Sequence, residues 1–155
     1  MTEVKLPLVD EAATIDLARR IAAKVETGLV FYLHGDLGAG KTTFARALLI
    51  ALGVGERVKS PTYSLVESYE VDGRSAWHLD LYRIADAGEL EWLGLDALAE
   101  PDAIVLVEWP ERGRGALPLP DITVDLGHAD GGRIAVLKAV TAAGQRLLDA
   151  FVEAK

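Results

Sequence analysis

The chain has no cysteine among its 155 residues, which excludes disulfides, thiolate metal sites and thiol nucleophiles. Histidine is scarce, with three copies, and neither His34 nor His78 has a second histidine at metal-ligand spacing, so no zinc site is expected. No apolar run approaches the ~18 residues that cross a bilayer, and the opening Met-Thr-Glu-Val-Lys-Leu-Pro lacks the apolar stretch of a signal peptide. A soluble, cytoplasmic protein without membrane contact is expected. Positive charge is in deficit: 16 Lys+Arg against 24 Asp+Glu leave a net charge of −8. That balance argues against broad electrostatic binding of nucleic acid, so any contact with RNA should be local or made through a partner. Repeats, low-complexity tracts and linkers are also missing. The length suits one domain spanning residues 1–155 with a real core, and leaves no room for a second large one.

What is present is concentrated in one segment. Gly35-Asp-Leu-Gly-Ala-Gly-Lys-Thr42 follows the apolar run Leu29 to Leu33 and opens a helical pattern, matching G-x-x-x-x-G-K-[ST] in its strand-loop-helix setting. Gly35, Gly38 and Gly40, with Ala39 between the last two, allow a tight turn whose backbone N–H groups face an anion, aided by the helix N-terminus. Lys41 would reach the β- and γ-phosphates. Thr42 offers a hydroxyl to Mg²⁺, and Thr43 lies where its N–H or hydroxyl can touch the α-phosphate.

The remaining periodicity supplies a scaffold. Asp10 reads as the N-cap of a helix running to about Val25, with Ile15, Ala18, Ile21, Ala22 and Val25 on one face and Gly28 just past its end. The helix after the glycine loop carries Phe44, Ala47, Leu48, Ala51 and Leu52 and stops at Gly53. Tyr63 to Glu70 and Ala76 to Leu81 flank the turn signal Val71-Asp-Gly-Arg74 and predict an antiparallel pair. Glu89 to Ala99 has helical spacing broken by Gly94. Ala103 to Val107 is a continuous apolar strand of the kind buried on both faces. Two late strands, Ile122 to Leu126 and Ile134 to Ala139, surround the turn at 128–132, and a helix from Ala142 to Val152 follows. Together these predict an α/β, P-loop NTPase-like three-layer domain whose mixed parallel/antiparallel sheet is flanked by helices.

A phosphate-binding loop needs an acidic residue on the Mg²⁺ side, usually at the end of a buried strand. Two positions compete: Glu108 ends the strongly apolar strand and ranks first as the metal-side acid, and Asp80 ends a weaker one and ranks as the second carboxylate. Thr62, in Ser60-Pro-Thr62, stands where nucleotide switches place a γ-phosphate sensor, although Pro61 equally suits an ordinary turn. Trp109 follows Glu108 directly and can report nucleotide state or serve in packing. Arg83, Arg112 and Arg114 can each pair with phosphate or with an acid of this carboxylate-rich chain, and most of them read as ordinary ion-pair residues. The chain has no Asn-Lys-x-Asp stretch of the guanine-reading kind, which favours ATP over GTP, and no Arg-rich lid of a small-molecule kinase.

Five segments, Gly35 to Thr43, Ser60-Pro-Thr-Tyr-Ser-Leu-Val-Glu67, His78-Leu-Asp-Leu-Tyr-Arg83, Glu89-Leu-Glu-Trp-Leu-Gly-Leu-Asp96 and Val107-Glu-Trp-Pro-Glu111, together resemble the TsaE (YjeE) family in order and spacing along nearly the whole chain. The resemblance implies the ATPase subunit of the bacterial machinery that forms N6-threonylcarbamoyladenosine at position 37 of tRNAs reading ANN codons. It also implies TsaD and TsaB as partners, with ATP hydrolysis resetting their complex and tRNA met through it. Carried over by position, it puts the nucleotide loop on Gly38 to Thr43, Mg²⁺ ligands on Thr42 and Glu108, the second acid on Asp80, and further nucleotide contacts on Glu11, Trp109 and Arg133. A small-molecule kinase and a nucleotide-dependent binding module without turnover stand as the alternatives.

Overall fold

The computed structural model describes residues 3–36, 38–55, 66–71, 73–84, 88–91 and 98–153. The two most apolar runs in the sequence become neighbouring strands, β2 (Leu29–Gly35) and β5 (Ile104–Glu108), paired in parallel. All five residues of β5 are buried, as an unbroken run of large apolar side chains requires when both faces of a sheet are covered. β6 (Ile122–Ala129) lies parallel to β2 on its other side, and β4 (Arg74–Asp80) parallel to β5. Antiparallel strands extend this centre: β7 (Gly132–Ala139) beside β6, β1 (Glu3–Leu8) beside β7, and β3 (Val66–Val71) beside β4. The seven-stranded order is β1-β7-β6-β2-β5-β4-β3. The sheet is thus mixed, parallel around the glycine loop and antiparallel on both flanks, where an antiparallel edge on one side was anticipated.

Helices α1 (Glu11–Ala22), α2 (Lys41–Leu49) and α4 (Ala142–Glu153) bring Leu17, Phe44, Leu48 and Phe151 into one cluster with Phe31, Leu33 and Leu106 of the sheet. A second cluster joins Val30, Leu79, Val105 and Val107 to Leu81, Ile84, Leu98 and Leu90 of the short helix α3 (Gly88–Glu91). These two apolar layers sandwich the sheet.

Two helix ends and one strand depart from the sequence reading, the helix ends for local reasons and the strand for a long-range one. α1 is capped by Asp10, whose carboxylate accepts the Ala13 N–H at 2.9 Å, but ends at Ala22; Lys24 and Val25 then bond back three residues, tightening the turn before Val25 can extend the helix. α2 stops at Leu49 and widens into a π-helical turn, Ile50–Val54, closed by Gly53 at φ +118°. The wider turn shifts the phase of the apolar stripe, so Ala51 is exposed and Val54 is buried in its stead. β1 was not anticipated; its alternation is short, interrupted by Pro7, and depends on pairing with β7 far along the chain. Most of the helical segment expected from Glu89 to Ala99, with Gly94, lies outside the described residues.

Candidate functional site

The loop after β2 turns on glycines with backbone angles that side chains disfavour: Gly38 at φ +81°, and Gly40, the N-cap of α2, at φ +105°. The loop closes with the Ala39 N–H on the Asp36 carbonyl, and α2 begins with the Phe44 N–H on Gly40. The first turn of a helix has N–H groups without intrahelical partners, so this end of α2 is suited to an anion.

Sheet register brings the acids to the same place. Asp80 of β4 stands directly opposite Glu108 of β5, and Glu108 opposite Leu33 of β2, so these three share one row and one face at the C-terminal ends of parallel strands. Ligands of open α/β sheets lie outside those ends. A cavity of about 450 Å³ opens there, lined by Gly38, Gly40, Lys41, Thr42, Thr43, Asp80, Tyr82, Arg83, Glu108 and Trp109.

Within it the polar groups are already linked. Thr42 donates its hydroxyl proton to Glu108 Oε1 at 2.7 Å. Lys41, only 4% exposed, donates from Nζ to the Gly35 carbonyl at 2.5 Å and sits 3.4 Å from the centre of the Trp109 ring. Burial pushes the Lys41 ammonium below the usual lysine range, opposed by the carboxylates of Glu108, Glu111, Asp80 and Asp36. Burial raises the Asp80 carboxyl above the usual range, and neighbouring Glu108 raises it further; the Tyr82 N–H bonded to Oδ1 at 3.1 Å, His78 and Lys41 pull the other way. Trp109 holds a left-handed backbone at φ 60°, ψ 50°, unique among non-glycine residues of the described chain. That conformation costs about 1–2 kcal/mol, and the ring it carries caps Lys41 and meets Tyr82 at 5.0 Å.

Glu11 and Arg133 lie in a smaller adjoining cavity, of about 170 Å³, that shares Gly38, Gly40 and Thr43 with the first and includes Ala39. Arg133 donates to the Gly38 carbonyl at 3.1 Å, tying the β6–β7 hairpin to the glycine loop. The structure thus places the expected residues along two adjacent cavities, except Gly35, which lines neither and meets the site through its carbonyl on Lys41, and Thr62, which lies outside the described residues.

His78 reads from the sequence as a core or edge histidine, and its place beside the site acid was not foreseen. It is fully buried, and its Nε2 lies 2.6 Å from Glu108 Oε2. Alternation along β4 was the available signal, since positions 76, 78 and 80 share a face and Asp80 was already singled out. Tyr82 was likewise not expected to line the site, whereas Arg83, for which a phosphate was one of two expected partners, does line it. Arg112 donates to the Ile84 carbonyl and stacks over Tyr82 at 5.6 Å; among the described residues it has no carboxylate partner of the kind anticipated for it.

Among the described residues, no cluster of three or more His, Cys, Asp or Glu side chains forms a cage for a metal. The donors present, a threonine hydroxyl and a carboxylate bonded to each other beside an open cavity, nevertheless suit Mg²⁺, which takes few protein oxygens and keeps waters and phosphate oxygens around it.

A glycine loop joining a buried parallel strand to a helix, with acids at the ends of neighbouring strands, defines an α/β protein of the P-loop kind. Comparison with known proteins narrows this. The family model described as threonylcarbamoyl adenosine biosynthesis protein TsaE matches residues 8–135. The chain is 46% identical to the tRNA threonylcarbamoyladenosine biosynthesis protein TsaE of Haemophilus influenzae over 81% of this chain and 80% of that one. It is 35% identical to the protein of the same name in Bacillus subtilis, over 83% and 80% of the respective chains. The crystal structure of Bacillus subtilis YdiB superposes with a TM-score of 0.78 at 25% identity, covering 99% of this chain and 96% of that one. The chain belongs to the TsaE family.

Proposed function

We propose that the protein is a slow, Mg²⁺-dependent ATPase required for forming N6-threonylcarbamoyladenosine at position 37 of tRNAs reading ANN codons. In this reading it is the cytoplasmic subunit that resets a TsaD–TsaB complex and meets tRNA only through those partners. The family and the names of its relatives support the pathway. The observation that carries the ATPase reading is the convergence of Lys41, Thr42, Asp80 and Glu108 on one cavity at the N-terminus of α2.

The residues divide the work by position. The loop backbone from Gly38 to Thr43 binds the phosphates, and Glu11 and Arg133 flank the nucleotide where the second cavity opens. Lys41 leaves the Gly35 carbonyl and the Trp109 ring to meet the β- and γ-oxygens. Thr42 can keep its proton on Glu108 while its lone pairs face the cation, so the pair holds Mg²⁺ from one side. The bound ion would neutralise charge on the transferring phosphoryl group. Asp80, in the same row as Glu108 and facing the same cavity, orients the attacking water. The net charge of −8 agrees with a subunit that leaves tRNA binding to others.

Phosphate release by the pure protein, with and without TsaB and TsaD, tests this. Low turnover that rises with both partners is expected. Fast hydrolysis indifferent to them, or phosphate transferred to a metabolite, would overturn the reading.

A further inference from the structure

Glu108 is 2% exposed and both of its oxygens are engaged, Oε1 by the Thr42 hydroxyl at 2.7 Å and Oε2 by His78 Nε2 at 2.6 Å. The carboxylate therefore cannot turn without breaking one contact or the other. His78 is itself 0% exposed, one strand away and one step back from Asp80 on the same face of β4. Its other nitrogen, Nδ1, is buried with no hydrogen-bond partner among the described residues. A carboxylate oxygen only accepts, so Nε2 must donate, which leaves Nδ1 as a bare lone pair in the neutral ring. An unpaired buried acceptor is tolerated more readily than an unpaired donor. The ring is thus committed to one bond, and that bond ends on Glu108.

We propose that His78 is a positioning residue for Glu108: it fixes Oε2 so that Oε1 stays on Thr42 and the pair remains set for a divalent cation. The proposal rests on the nucleotide-and-metal reading above and assigns His78 a role that neither the glycine loop nor the strand-end acids supply. Groups that orient metal ligands from behind typically change metal affinity or activity 10–100-fold when lost. The effect should fall on the metal. His78 does not line the cavity that the loop opens onto, so nucleotide binding without a metal should be unchanged.

Geometry also predicts which substitutes work. The glutamine amide nitrogen falls near the place of Nε2 and can donate to Glu108, whereas the asparagine amide nitrogen falls near Nδ1 and cannot reach it. Leucine fills similar space and donates nothing. A role in core packing alone would rank these differently, with leucine at least as good as the two amides.

The test uses the full-length protein and two binding measurements that need no turnover: ADP affinity in EDTA, and Mn²⁺ affinity in the presence of saturating ADP, read by the loss of the free Mn²⁺ signal in electron paramagnetic resonance. Expected is a 10–100-fold loss of Mn²⁺ affinity for His78→Leu and His78→Asn, near-native affinity for His78→Gln, and ADP binding in EDTA that matches the unmodified protein in all three. Should leucine prevent folding, the glutamine and asparagine variants decide the matter alone. Equal Mn²⁺ affinity in those two, or native affinity in a folded His78→Leu, overturns the role of His78 while leaving the nucleotide site standing. Absence of ADP-dependent Mn²⁺ binding by the unmodified protein overturns the metal reading itself, and this proposal with it.

Discussion

The Lys41 ammonium lies 3.4 Å from the centre of the Trp109 ring, with its nearest hydrogen-bond acceptor the carbonyl of Gly35 at the start of its own loop. A lysine held this way is folded back on the protein and must exchange both contacts for phosphate oxygens when a nucleotide enters. The ring loses a cation from its face in the same event. In a Trp77→Phe, Trp92→Phe background, Trp109 emission should therefore change on adding ADP or ATP, and change far less with AMP, which offers Lys41 no β-phosphate. Lys41→Met should abolish the change together with nucleotide binding. An identical response to AMP and ATP would mean that Trp109 senses something other than the movement of Lys41.

Glu108 and Asp80 share a row of the sheet but not an environment. Glu108 is bonded to Thr42 and His78, whereas Asp80 is held by the Tyr82 N–H and otherwise faces the cavity. Glu108→Gln, which keeps shape and removes charge, should raise the Mg²⁺ concentration needed for half-maximal activity and cut turnover by more than about tenfold, as loss of metal-assisted charge stabilisation requires. Asp80→Asn should cut turnover with little change in the Mg²⁺ requirement. Metal titrations of phosphate release distinguish them; if Asp80→Asn shifts the metal requirement more, the two roles are reversed.

How much of this was legible beforehand follows from the range of each interaction. The glycine loop, the Asp10 cap and the buried strand β5 are local patterns, and each was readable from a handful of adjacent residues. Glu108 and Asp80 were legible as strand-end acids, because a long apolar run followed by a carboxylate is itself a signal. His78 was legible as a core or edge histidine but its contact with Glu108 was not: the two are 30 residues apart, and only the parallel register of β4 with β5 makes them neighbours. The β1 strand was missed for the same reason, since its ladder is formed with β7. The shift of Ala51 to the surface came from a widened helical turn at Gly53, a backbone adjustment that a fixed 3.6-residue period does not anticipate.

Gly144 shows a close approach that composition alone would not suggest. A Cβ built there would lie 2.0 Å from the Asp121 carbonyl oxygen, and 2.8 Å from its carbonyl carbon, both of them backbone. Asp121 is itself tied down, accepting from the Val30 N–H at 2.8 Å and the Thr141 hydroxyl at 2.6 Å, while the Gly144 N–H donates to Thr141 Oγ1. Alanine favours a helix over glycine by about 1 kcal/mol, yet relieving the overlap would move α4 off the edge of β6 and disturb these bonds. Gly144→Ala should therefore lower stability by about 1–3 kcal/mol, the usual cost of forced overpacking. Urea unfolding checks it; a midpoint equal to or above that of the unmodified protein would show that α4 is free to shift.

Burial raises the proton affinity of Asp80, which sets the sign of its contribution to stability. A carboxyl whose folded pKa lies above its unfolded value supports folding while protonated, and that support is lost as pH rises through the folded pKa. At neutral pH the ionised Asp80 thus opposes the fold, as expected of a site kept for chemistry and not for stability. Asp80→Asn is nearly isosteric and carries no charge at any pH. It should melt at a higher temperature than the unmodified protein at neutral pH, and the gap should close as pH falls into the range where Asp80 takes up its proton. Melting curves of the two proteins across that range measure it without nucleotide or metal. A gap that stays constant down to acid would trace the effect to packing, and a lower melting temperature for the variant at neutral pH would show that Lys41 and the Tyr82 N–H outweigh burial at this position.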